Sequence, residues 1–194
     1  MKKDIILSGV GGQGILSIAT VIGRAALEEG LQIKQAEVHG MSQRGGDVQS
    51  NLRISSSRID SDLIARGGVD LIISLEPMEA LRYLPWLAAD GWVITNTVPF
   101  VNIPNYPDAE ALQRELASLP HVVALDVDSL AKAAASPRSA NMVLLGAAAP
   151  FLGLEAGKFE QGIRAIFARK GDAVVEMNLA AFRAGYEQAK KQIR

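Results

Sequence analysis

Two hydrophobic periods alternate along the chain. Asp4–Ser8, Ile33–Val38, Leu71–Leu75, Trp92–Thr97 and Val122–Val127 are short, largely apolar runs bounded by glycine, proline or polar residues, which is the pattern of buried strands. Ile15–Glu29 instead spaces Ile15, Ile18, Ala19, Ile22, Ala25 and Ala26 at helical intervals, and Gly30 stands where a C-terminal cap belongs. The first two strands and this helix form a βαβ unit of about thirty-five residues, which predicts parallel strands joined by a right-handed crossover. No long helix fits the next segment. Gly40, Gly45 and Gly46 mark a loop, and Asp47–Ser55 then alternates as a strand. A strand that follows a strand through a loop is antiparallel to it, so the sheet is mixed.

The remaining pattern continues the alternation. Helices are predicted over Met78–Leu87, Asp108–Leu119, Asp128–Ala135, Asn141–Ala149, Phe159–Phe167 and Asp172–Lys191. "VPFVNIPNYPD" is rich in proline and asparagine and reads as an ordered surface loop. "SPRS" punctuates the chain before the very apolar "MVLLGAAAP", with Ser139 or Asn141 as N-cap of that helix. With no repeat and no low-complexity linker, residues 1–194 read as one domain. The expected class is α/β: a three-layer Rossmann-like fold with a mixed, mostly parallel sheet and helices on both faces.

Composition narrows the function. Apolar residues make up 48% of the chain and aromatic ones 5%, so a packed core accounts for much of the sequence, with apolar surface left for another subunit or a second copy. The formal charge of −1 shows no basic excess for nucleic acid, and no Lys/Arg-rich helix points to a membrane surface. Cysteine is absent, which excludes disulfides, thiolate metal sites, iron–sulfur ligation and a cysteine nucleophile within this chain. The first apolar run meets Gly9, Gly11 and Gly12 too early for a signal peptide, and Met142–Leu154 is broken by Gly146, Pro150 and Gly153 before it could span a bilayer. The cytoplasm is the expected compartment.

The candidate chemistry sits at "GVGGQG". Gly9, Gly11 and Gly14 spell G-x-G-x-x-G between a strand and a helix, where main-chain N–H groups at a helix N-terminus favour phosphate oxygens. The plain alternative is a tight strand-to-helix turn. Glu37 lies where a dinucleotide fold holds a ribose, but His39-Gly40 and a second glycine loop replace the helix expected there. In that loop Ser42, Gln43 and Arg44 can hydrogen-bond, Gly45 and Gly46 permit tight turns, and Arg44 offers a planar fork for a phosphate or else a solvated side chain. His39 and His121 have no legible catalytic partner, and no metal-ligand spacing is present.

Taken together, "GVGGQGILSIATVIGRAALEEG", "EVHGMSQRGGDVQSNLRIS" and "NMVLLGA" resemble the gamma subunit, or gamma domain, of 2-oxoacid:ferredoxin oxidoreductases over nearly the whole chain. The likeness is greatest to the branch acting on aryl pyruvates such as indolepyruvate. The resemblance implies oxidative decarboxylation of a 2-oxoacid to an acyl-CoA, CO₂ and reduced ferredoxin. It implies a larger partner subunit carrying thiamine diphosphate and the iron–sulfur clusters, with ferredoxin reached through the complex and no catalytic residue in this chain. It also implies that Gly9, Gly11, Gly12, Gln13, Gly14, Ser42, Gln43, Arg44, Gly45 and Gly46 contribute to binding coenzyme A. The pyruvate enzymes carry lysines in the second loop, where this chain has Gln43 and Arg44. Two other readings stand beside this one: a nicotinamide-dependent dehydrogenase, and a purely structural subunit of the same complex.

Overall fold

A computed structural model describes residues 1–39 and 45–193. Its centre is a six-stranded sheet of β1 (Lys2–Val10), β2 (Gln32–His39), β3 (Asp47–Ser55), β4 (Val69–Ser74), β5 (Leu87–Asn96) and β6 (Val122–Leu125), in the order β2-β3-β1-β4-β5-β6. β4, β5 and β6 continue parallel to β1, whereas β3 is antiparallel to both β1 and β2. The sheet is therefore mixed and mostly parallel, as the pattern predicts. One expectation needs refinement. β1 and β2 run in the same direction, but β3 is inserted between them, so the strands of the βαβ unit do not pair with each other.

The helices are α1 (Ile15–Glu28), α2 (Pro77–Arg82), α3 (Ala109–Ser118), α4 (Val127–Ala134), α5 (Ala140–Ala148), α6 (Ala156–Phe167) and α7 (Asp172–Gln192). α1 ends in the predicted glycine cap: Gly30 has φ 72°, its N–H donates to Leu27, and the Leu31 N–H reaches back to Ala26. Alternation divides the sheet's side chains between two cores. Ile5, Leu7, Leu71 and Ile73 pack with α1 and α4–α7, while Ile6, Ile72 and Val93 pack with Ala80 and Tyr83 of the α2 segment on the other face. Strands covered on both faces explain why β1 and β4 read as unbroken apolar runs rather than alternating ones. Among the described residues no helix is long and apolar enough to cross a membrane.

α5 contacts β4 and β5 and is crossed by α7. Every residue from Met142 to Ala148 is buried. The crossing is very tight: a Cβ on Gly146 would lie 1.9 Å from the Phe182 carbonyl oxygen, and one on Gly185 would lie 1.9 Å from that of Val143. The two glycines let the helix backbones meet. This places the N-terminus of α5, and with it Asn141, beside the first glycine loop.

Candidate functional site at the two glycine loops

β1 leads into α1 toward one side of the sheet, and β4 leads through α2 and β5 toward the other. Their adjacent C-terminal ends thus form a topological switch point, where open α/β sheets take their ligands. Gln13 ties the point together. Its Oε1 accepts the Val10 N–H at 2.7 Å and its Nε2 donates to the Leu75 carbonyl at 3.3 Å. Both ends of this side chain are engaged with the main chain, so its part in the site is to set the width of the cleft.

Internal packing accounts for two fingerprint glycines. A Cβ on Gly9 would come within 2.8 Å of Gln13 Oε1, and one on Gly14 within 2.7 Å of Asn141 Nδ2. Gly14 is also left-handed, with φ 88°, and its carbonyl accepts from Asn141 Nδ2 at 3.2 Å. Gly12 is left-handed as well, at φ 102°. Gly11 joins the loops: its N–H donates to the Gly46 carbonyl at 2.8 Å, with a longer return contact from the Gly45 N–H. The structure thus brings Gly9, Gly11, Gly12, Gln13, Gly14, Gly45 and Gly46 together at one edge. Ser42, Gln43 and Arg44 lie outside the described residues, as does the side chain of His39.

A crevice of about 200 Å³ opens here, lined by Gly12, Gln13, Leu75, Asn96, Asp128, Pro137, Arg138 and Asn141 among others. Asn96, at the end of β5, is its best-connected wall. The Asn96 Nδ2 donates to Asp128 Oδ2 at 3.0 Å, and its Oδ1 accepts from the main-chain N–H groups of Val98 and Val127. Arg138 is an exposed cation on the rim, carried by a short 3₁₀ turn over Pro137–Ser139. Asp126 caps α4, which follows β6, and hydrogen bonds from the Ser129 main chain and hydroxyl hold its carboxyl below the usual carboxylate range. The crevice therefore brings together the start of α1 and the Arg138 guanidinium, with the Asp128 carboxylate bound by Asn96 on its wall; its cationic side suits a phosphorylated ligand. It shows no nucleophile paired with a base.

Several sequence expectations change here. Of the two cap candidates for α5, Ser139 occupies the N-cap position as expected, but its buried Oγ makes no capping hydrogen bond; Asn141 lies inside the helix and points its amide at Gly14. Glu37 is exposed on β2, which β3 separates from β1, so it stands one strand spacing, roughly 5 Å, further from β1 than a ribose-binding carboxylate would. His121 stacks on Trp92, ring centres 5.0 Å apart, at the opposite edge of the sheet. Asn96 and Arg138 gave no signal in the sequence, because only the fold brings the end of β5 and the "SPRS" turn to the glycine loop. A larger depression of about 580 Å³ at the far end of α5, lined by Pro150, Leu154, Glu155, Tyr186 and Lys190 among others, contains no residue of either glycine loop.

Comparison with known proteins fits this arrangement. The family described as pyruvate ferredoxin/flavodoxin oxidoreductase matches residues 4–188. The indolepyruvate oxidoreductase subunit IorB of Archaeoglobus fulgidus is 36% identical, across 97% of this chain and 96% of its own length. Among solved structures, the gamma subunit of a keto/oxoacid ferredoxin oxidoreductase from Geobacter sulfurreducens superposes with a TM-score of 0.70 at 26% identity, covering 97% of this chain and 99% of that one. The 2-oxoglutarate:ferredoxin oxidoreductase of Magnetococcus marinus, solved with 2-oxoglutarate, coenzyme A and succinyl-CoA, shares the fold. Its TM-score is 0.76 at 22% identity, over 98% of this chain and 31% of that one.

Proposed function

Since this chain belongs to the pyruvate ferredoxin/flavodoxin oxidoreductase family, we propose that it is the small subunit of a 2-oxoacid:ferredoxin oxidoreductase and holds the phosphates of coenzyme A for chemistry done on a larger subunit. The observation that carries this reading is the joining of the two glycine loops at the switch point, with Arg138 on the rim of the crevice that the first loop lines. The likeness to IorB favours an aryl pyruvate, such as indolepyruvate, as the substrate. The complex is taken to work in the cytoplasm.

The residues present fit the phosphate-bearing part of coenzyme A. The start of α1 and Arg138 supply positive potential, and Asn96 and Asn141, tied to the protein by their own hydrogen bonds, frame the walls. They do not fit an iron–sulfur cluster, because the chain contains no cysteine. In this reading the partner carries the clusters and the thiamine diphosphate, which supplies the decarboxylation when bound. This chain's share is to bind and orient the acyl acceptor.

Replacing Arg138 tests the idea in the assembled complex. Arg138→Gln should raise the KM for coenzyme A by about tenfold, the worth of one charge-assisted hydrogen bond. The kcat at saturating coenzyme A and the KM for the 2-oxoacid should stay near wild type. An unchanged KM for coenzyme A would leave the chain a structural subunit. Titration of the isolated chain separates the nicotinamide reading: NADH binding without coenzyme A binding would favour it, although the insertion of β3 removes Glu37 from the required place.

A further inference from the structure

Among the described residues the crevice is small for its proposed ligand. Pockets that enclose a ligand of drug size run to roughly 300–1,000 Å³, whereas this one holds about 200 Å³. It can seat a pyrophosphate, but most of a coenzyme A molecule would stand outside it. On the reading above, the reacting centre also lies outside this chain. A reacting centre on another subunit calls for a second surface near the mouth.

We propose that Val98–Ile103 is the docking ridge for the subunit that carries thiamine diphosphate, and that this partner closes the crevice beside it. The proposal rests on the functional reading above. Val98 to Pro107 contains no charged residue. Val98, Phe100, Val101 and Ile103 are 38%, 46%, 71% and 37% exposed, a concentration of apolar surface within six residues. Depletion of charge around apolar and aromatic side chains is the composition of an interface core.

The ridge is already fixed in shape. The Phe100 N–H and the Tyr106 hydroxyl both donate to Glu76, a fully buried carboxylate that also caps α2. At its start, the Val98 N–H is held by Asn96, which lines the crevice. At its middle, Asn102 Nδ2 donates to the Gly45 carbonyl in the second glycine loop at 2.8 Å. The ridge thus runs continuously from the crevice wall to the second loop. A partner seated on it stands next to the crevice. Ordering the loop in advance removes part of the entropic cost of association.

The test uses this chain and the thiamine-diphosphate subunit, purified separately and recombined. Val101→Glu and Phe100→Ser alter exposed side chains, so both variants should fold and melt like the wild type. Each should weaken assembly by about tenfold or more. Leu27→Glu, an equally exposed apolar position at the C-terminal end of α1, should change it less than twofold. Hydrogen exchange of residues 98–103 in the wild-type chain should slow when the partner is added. Wild-type assembly by both ridge variants, or no slowing of exchange, overturns the proposal. So does slowing produced by concentrating this chain alone, which would assign the ridge to a second copy. If Arg138→Gln still raises the KM for coenzyme A in those cases, the functional reading survives. If the wild-type chain assembles with no thiamine-diphosphate subunit, the functional reading falls and the ridge proposal falls with it.

Discussion

Gly14 shows how a phosphate fingerprint can also be a packing requirement. Its left-handed backbone would cost an L residue about 1–2 kcal/mol, and its missing Cβ makes room for Asn141. Gly14→Ala should therefore destabilise the fold by about 2 kcal/mol in denaturant titration. Adding Asn141→Ala should recover only the steric part, because the backbone strain remains. Full recovery in the double variant would show that φ contributes nothing. Gln13 is the other residue whose role changed on folding. The sequence offers it as a polar group in a ligand loop, whereas the structure turns its amide inward to join β1 and β4.

Among elements, the α5–α7 crossing places the strictest demand on the sequence. Glycine in a helix interior normally costs about 1 kcal/mol relative to alanine, so intrinsic propensity alone predicts that Gly146→Ala or Gly185→Ala stabilises. The structure predicts the opposite sign. A new Cβ would collide with the facing backbone, and backbone cannot rotate away as a side chain can. A loss of about 3 kcal/mol, or roughly 6–12 °C in Tm, is expected for either variant. Separation of the helices should also displace Asn141, so coenzyme A binding by the folded fraction should weaken. A Tm at or above wild type would contradict the close approach. The caps illustrate the limits of reading elements from sequence. Asp108 and Asp126 cap α3 and α4 through local hydrogen bonds. At α5 Ser139 holds the cap position without a capping bond, and the Asn141 amide is committed to Gly14.

For the molecule as a whole, the buried pair of Asp4 and Arg53 joins the central strand to its antiparallel neighbour. Arg53 donates to both Asp4 oxygens, at 2.7 and 2.9 Å, and reaches the carbonyls of Ser61 and Leu63. Burial pushes the Asp4 carboxyl up, but the hydrogen bonds and charges of Arg53 and Lys2 outweigh it and hold the group below its ordinary value. A depressed carboxylate stabilises the fold above the ordinary carboxylate range and loses that contribution as pH falls through the folded value. Asp4→Asn should therefore cost about 3 kcal/mol at pH 7. The gap between variant and wild type should narrow below about pH 4. A gap independent of pH would mean that shape, not charge, holds the two strands. The isolated chain should reduce neither ferredoxin nor a dye with a 2-oxoacid and coenzyme A, because no group in the described site can perform the decarboxylation. Turnover by the pure chain would sink the division of labour proposed here.

What the sequence determined by itself was local. Periodicity identified the strands and the seven helices, and the absence of a helix after β2 correctly implied a mixed sheet. The two glycine loops, each visible as a short motif, pointed to a phosphate ligand. The tertiary structure decided what lies next to what. It inserted β3 between β1 and β2, joined Gly11 to Gly46, and brought Asn96, Arg138 and Asn141 to a single crevice. The physical reason is that backbone hydrogen bonding and apolar spacing are written within a few residues. Strand order and helix crossing are set by burial between segments distant in sequence, among them the contact between Gly14 and Asn141, 127 residues apart.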